Sequence, residues 1–251
     1  MWLLNSSIGK KLIMSISGLF LVLFLLFHLS MNIAAVFSGA AYNMVCALLG
    51  ANWYAVAATL VLAAGVVIHF VYAIILTLQN RKARGNDRYA INTRPKGVEW
   101  ASQNMLVLGI IVLGFMILHF SQFWYKMMFA ELLGNHMVTL CDGTTTVSPQ
   151  DGAAFINYYF QGNILVTVLY LIWYVALWFH LTHGFWSAIQ TIGWNNTIWL
   201  KRWECTSKVV ATVICGLFAI ITIIFYLNGV GGDACQSACD AAQQAACCSG
   251  H

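Results

Sequence analysis

The sequence predicts an all-α integral membrane protein, a bundle of five transmembrane helices with its N-terminus inside and its C-terminus outside. Three observations carry this. Of 251 residues, 61% are apolar and only 8% charged, against about a quarter charged in soluble domains, so the chain cannot cover a globule with polar surface. Five apolar segments, near 12–37, 53–78, 101–129, 160–192 and 206–228, each exceed the roughly 20 helical residues that cross a bilayer core. Finally, of the 12 Lys and Arg all but Lys126 fall in three stretches, Lys10–Lys11, the loop RKARGNDRYAINTRPK (81–96), and Lys201, Arg202 and Lys208. Basic residues stay on the cytoplasmic side, and the alternate loops 38–52 and 130–159 contain none.

Each element follows in order. The first span has no short apolar core followed by a small-residue cleavage site, so it reads as a retained helix and not a removed signal peptide. The second ends at the basic loop 81–96, and the third ends in FWYKMMF (123–129), an interfacial aromatic belt. The fourth carries FHLTHGFWS (179–187), and the fifth follows the turn WNNTIWLKRWE (194–204). Residues 1–232 thus form one five-helix domain. The exterior tail DACQSACDAAQQAACCSGH (233–251) holds four of the eight cysteines and is expected to be disordered. With Cys46 and Cys141 in outer loops, the exterior thiols are open both to disulfides and to a free state. The net charge of +4 is explained by topology, so no nucleic-acid partner is expected. The inner loops are too small for a catalytic fold, and neither a GxGxxG fingerprint nor ferredoxin Cys spacing occurs, so flavin and iron–sulfur clusters belong to other chains.

His136 and His251 lie in exterior polar segments and are expected to be solvated. His28, His69, His119, His180 and His183 lie within spans, where an ionisable residue is a functional hypothesis by default. Following the alternating direction of the spans at about 1.5 Å per residue, His28 and His119 fall in the outer half and His69 and His180 in the inner half. Two pairs at two levels, one partner from each of two helices, meet the requirement of bis-histidine ligation of two stacked haems. Zinc would want three or four converging ligands, and no carboxylate or Cys sits at either level. A haem-free proton-coupled transporter is the alternative, but it would more often carry buried Asp or Glu.

The segments FHLSMN (27–32), IHFVYAI (68–74), LHF (118–120) and FHLTHGFWS (179–187) resemble the dihaem cytochrome b membrane anchor of the succinate:quinone oxidoreductase and quinol:fumarate reductase family. The likeness spans the first helix through the fifth, and HLxxN on helix one and HxxxGxWS on helix four are its most specific motifs. The resemblance implies two haem b, with His28 and His119 on the outer iron and His69 and His180 on the inner, in agreement with the depth argument. It implies a chain that has no dicarboxylate site itself but serves an enzyme. An iron–sulfur subunit and an FAD-bearing flavoprotein subunit would sit at the cytoplasmic face, in the inner (cytoplasmic) membrane, with a dimer of the whole complex as a further expectation. His183 falls where relatives have a small polar residue and reads as a hydrogen-bonding neighbour of a haem propionate or the quinone.

Ser15, Ser17, Ser102, Ser187 and Gln190 lie where inner-haem propionates would point, with helix packing as the alternative use of the serines. Asn32, Tyr42, Asn43, Asn52 and Trp53 lie at the outer level, where the resemblance places a quinone, menaquinone by expectation, with interfacial packing as the equal alternative for each. Some relatives carry a glutamate two residues before the helix-four ligand; here that position is Trp178, so no glutamate proton path is expected. A dihaem anchor of a hydrogenase or formate dehydrogenase is the remaining alternative.

Overall fold

A computed structural model describes residues 6–84 and 100–230. The tail 233–251 and most of the basic loop 81–96 lie outside the described residues. The elements are α1 (Ser7–Phe37), α2 (Gly39–Leu48), α3 (Trp53–Arg84), α4 (Trp100–Gln103) and α5 (Met105–His119), the last continuing as a π-helix (Phe120–Phe129). Then come α6 (Ala130–Leu132), an antiparallel hairpin of β1 (Val138–Thr139) and β2 (Thr146–Val147), α7 (Gly152–Phe160), α8 (Ile164–Ile192) and α9 (Trp199–Asn228). Five of these helices are long and apolar enough to cross a membrane, with mean hydropathy of 2.0 to 2.6 over their most apolar windows. Many large apolar side chains on them, Leu23, Leu60, Ile117, Leu165 and Val209 among others, are exposed. In water that would be a liability, but lipid is the solvent such surfaces need. The chain is a multi-pass membrane protein.

The five expected spans are all present, with shifted ends for local reasons. The fourth starts at Ile164 and not near 160, because Gly162 adopts φ 68° and breaks the chain direction. The Asn163 side chain then caps the new helix by accepting from the Val166 amide at 3.2 Å. The fifth starts at Trp199 because Asn196 accepts from the Ile198 and Trp199 amides at 3.0 and 2.9 Å. Loops 38–52 and 130–159 are not bare connections. They contain α2, the hairpin and α7, short amphipathic pieces that a search for long apolar runs passes over.

The chain divides into two compact units, and all five long helices supply residues to both. One unit comprises Met1–Phe27, Ala57–Met116 and Ile172–Gly216. Its core includes Ala101, Leu108 and Ala176, with Val112 and Phe179 packed against them. Within it the buried Ser207 hydroxyl donates to the Thr182 carbonyl, and Trp178 Nε1 donates to Thr212 Oγ1 at 2.9 Å, tying α8 to α9. The other unit comprises His28–Val56, Ile117–Leu171 and Leu217–His251. Its core gathers Leu29, Ala35, Phe155, Ile156, Phe160 and Phe225. The end of α9 is held there: Gly229 turns at φ 71°, and the Val230 amide donates to Asn157 Oδ1 at 2.7 Å.

Candidate metal and cofactor site

One facing histidine pair falls in each unit. In the second unit the rings of His28 (α1) and His119 (end of α5) have centroids 5.8 Å apart at 84°. In the first, His69 (α3) and His180 (α8) are 6.3 Å apart at 69°. The four histidines are half-buried, and each pair is close enough that both imidazoles could hold one group. Among the described residues no three or more His, Cys, Asp and Glu side chains converge as a metal cage. A two-ligand group, which brings its remaining donors with it, therefore suits these residues, and haem is such a group.

The nitrogen facing away from a metal decides whether the other is free to bind it. His69 Nδ1 lies 3.3 Å from the Met14 carbonyl, which can only accept, so Nδ1 carries the proton and Nε2 is bare. Ser17 Oγ donates to the same carbonyl at 2.9 Å and sits 3.3 Å from that Nδ1. His119 Nδ1 lies 3.2 Å from the Tyr170 hydroxyl, which donates to Gln122 Oε1 at 2.6 Å. His180 Nδ1 is enclosed and has no hydrogen-bond partner among the described residues, so no hydrogen bond at that atom orients the ring. His28 differs: Asn32 Nδ2 donates to its backbone carbonyl at 2.8 Å and stands 3.4 Å from its Nε2, a long contact that a metal at Nε2 would replace. Glycine supplies room at His69, whereas at His180 an added Cβ would make ordinary contact. A Cβ at Gly18 would lie 3.1 Å from His69 Cε1, and one at Gly109 would lie 3.6 Å from His180 Cε1.

Of the residues expected near the inner pair, Ser15 and Ser17 are buried on α1, and Ser17 attends His69 as described. Ser102 is half-buried in α4, the Ser187 carbonyl accepts from Thr191 Oγ1 at 2.9 Å, and Gln190 is exposed near the end of α8. The His183 ring is edge-on to Trp186, with centroids 5.2 Å apart. Trp178 is an inter-helix tie through Thr212.

The five outer polar residues make the following contacts. Asn43 clasps α7: its Nδ2 donates to Asp151 Oδ1 at 2.8 Å and its Oδ1 accepts from the Ala153 amide at 2.9 Å. Asn52 Nδ2 donates to the Ala47 and Leu48 carbonyls at 3.0 Å each, closing the end of α2. Trp53 is exposed and edge-on to Tyr54. Tyr42 and Cys46 face Gly152, where any Cβ would collide with both. Burial pushes the Tyr42 phenol above its usual range and, opposed by a hydrogen bond from Tyr42, the Cys46 thiol up to about 11, so both are neutral donors at pH 7. Asn32 lies beside His28.

Sequence reading missed Tyr170 and Gln122, a tyrosine and a glutamine inside apolar runs, both buried. The legible signal was Gln122 three residues after His119, but its partner lies 48 positions away. No protein-family model, no curated protein and no solved structure matches the chain.

Proposed function

We propose that this chain is the membrane-anchoring, dihaem cytochrome b subunit of a quinone-linked complex, moving electrons between a membrane quinone (menaquinone) and iron–sulfur and flavoprotein subunits that interconvert succinate and fumarate. The observation that carries the reading is two pairs of neighbouring histidines, His28 with His119 and His69 with His180, with ring centroids 5.8 and 6.3 Å apart inside apolar helices. His28 with His119 and His69 with His180 would hold the haems, which would supply one-electron transfer when bound. The chain's own contribution is to hold the imidazoles: Met14 and Ser17 orient His69, and Tyr170 with Gln122 orients His119. The quinone and dicarboxylate assignments rest on the histidine motifs and their likeness to the family, and the basic loops support an inward N-terminus in the cytoplasmic membrane.

Docking of soluble subunits is supported at the α8–α9 turn. Trp194 and Trp199 are exposed there, Trp203 Nε1 donates to the Trp194 carbonyl at 2.8 Å, and the Arg202 guanidinium stands 5.0 Å over the Trp199 ring. A braced indole cluster of this kind suits a permanent partner, whose interface relies more on aromatic anchors than on rim charge.

The test is a reduced-minus-oxidised spectrum of the purified protein with haem counted per chain. Two b-type haems are expected, and absence of b-type absorption sinks the reading. Co-purification of membrane-bound succinate or fumarate turnover is expected as well. Hydrogenase or formate dehydrogenase turnover in its place would reassign the partner and keep the haems.

A further inference from the structure

We infer that Tyr170 is a positioning residue for the His28–His119 site, holding His119 in the tautomer protonated at Nδ1, the one whose Nε2 could bind iron, with Gln122 setting the direction of the Tyr170 proton. The inference deepens the haem reading above and rests on it. Tyr170 and Gln122 are both buried, on α8 and in the first turn of the π-helix that begins directly after His119. A phenol has one proton. Here it goes to Gln122 Oε1 at 2.6 Å, a carbonyl-type oxygen that can only accept. The Tyr170 oxygen therefore presents a lone pair to His119 Nδ1 at 3.2 Å, and that nitrogen must carry the hydrogen. The opposite tautomer would set two lone pairs against each other beside the buried Tyr170 and Gln122. The π-helix is a further pointer, because wider turns of this kind concentrate at functional sites.

The other pair reaches the same tautomer differently, through the Met14 backbone carbonyl on His69. A carbonyl cannot be deleted by substitution, whereas a hydroxyl can, so the His119 side offers the cleaner test. An acceptor on the distal nitrogen raises the basicity of a ligating imidazole, and loss of such a partner typically weakens the site about 10- to 100-fold.

The experiment uses the full protein purified from membranes, with haem transfer to apomyoglobin and a redox titration as readouts. His119→Ala first identifies the haem that depends on this ligand. In Tyr170→Phe, which keeps the ring against Phe160 (4.8 Å between centroids), that haem is expected to be held about 10- to 100-fold more weakly. Its midpoint potential should rise while the other haem is unchanged. Gln122→Met frees the phenol proton to turn toward His119, and should shift the same haem in the same direction by less. Wild-type retention and midpoint in both variants, or a shift confined to the other haem, overturns the inference. If Tyr170→Phe does not accumulate, Gln122→Met decides by the same two outcomes. An unsubstituted protein without b-type absorption sinks the functional reading itself, and this inference with it.

Discussion

Gly18→Ala adds one carbon at the tightest point of the His69 site. The new Cβ would sit 3.1 Å from His69 Cε1 and 3.4 Å from Nδ1, where ordinary contact begins at 3.4 Å, so the ring must give by a few tenths of an ångström. The ring has little freedom to do so, since Nδ1 is already at 3.3 Å from both the Met14 carbonyl and Ser17 Oγ. Any retreat stretches bonds that are near the limit of useful geometry. Overpacking of this kind costs about 1–3 kcal/mol, while replacing a mid-helix glycine with alanine returns about 1 kcal/mol. The net expectation is a loss of about 0–2 kcal/mol, concentrated at one ligand. A functional site tolerates only about 0.5 Å of misplacement, so the haem that His69→Ala removes should loosen while the other stays. Gly114→Ala is the control, because nothing lies within 4 Å of its added Cβ and only the propensity gain remains. Thermal unfolding and haem count of both variants decide the matter. A Gly18→Ala protein with raised thermal stability and two fully retained haems would refute the reasoning.

Replacing any one of His28, His69, His119 or His180 by Ala should remove or loosen one haem, whereas His183→Ala should retain both; haem-to-protein ratio is the check. Asn43→Ala removes two hydrogen bonds that clasp the start of α7 and should destabilise that unit by about 1–3 kcal/mol. A quinone titration that changes in Asn43→Ala without any loss of thermal stability would instead mark Asn43 as a quinone contact. Asp142 is held near pKa 2 mainly by the Thr145 hydroxyl and amide, with Thr144 assisting. A depressed carboxyl pKa contributes stability that is present above the ordinary value of 3.8 and lost as pH falls through about 2. Amide exchange at Thr144 and Thr145 should therefore lose protection, beyond the intrinsic pH dependence, between those pH values, and Asp142→Asn should abolish that step.

Much of the architecture was legible along the chain because it is one-dimensional. Apolar run length against bilayer thickness marks α1, α3, α5, α8 and α9. An imidazole in such a run stands out whatever the helix packs against, so His28, His69, His119 and His180 were identifiable as residues. What only the tertiary structure decided is azimuthal. Facing rings at 5.8 and 6.3 Å, Gly18 against His69, and Tyr170 between His119 and Gln122 depend on how each helix is rotated about its own axis. All-round apolar helices carry little sequence record of that rotation, since lipid-facing and core-facing positions are apolar alike. The outer polar residues show the same limit from the other side. Asn43 and Asn52 read equally as quinone contacts or as packing, and the fold engages them with α7 and α2, because helix ends leave backbone groups that some side chain or carbonyl must satisfy.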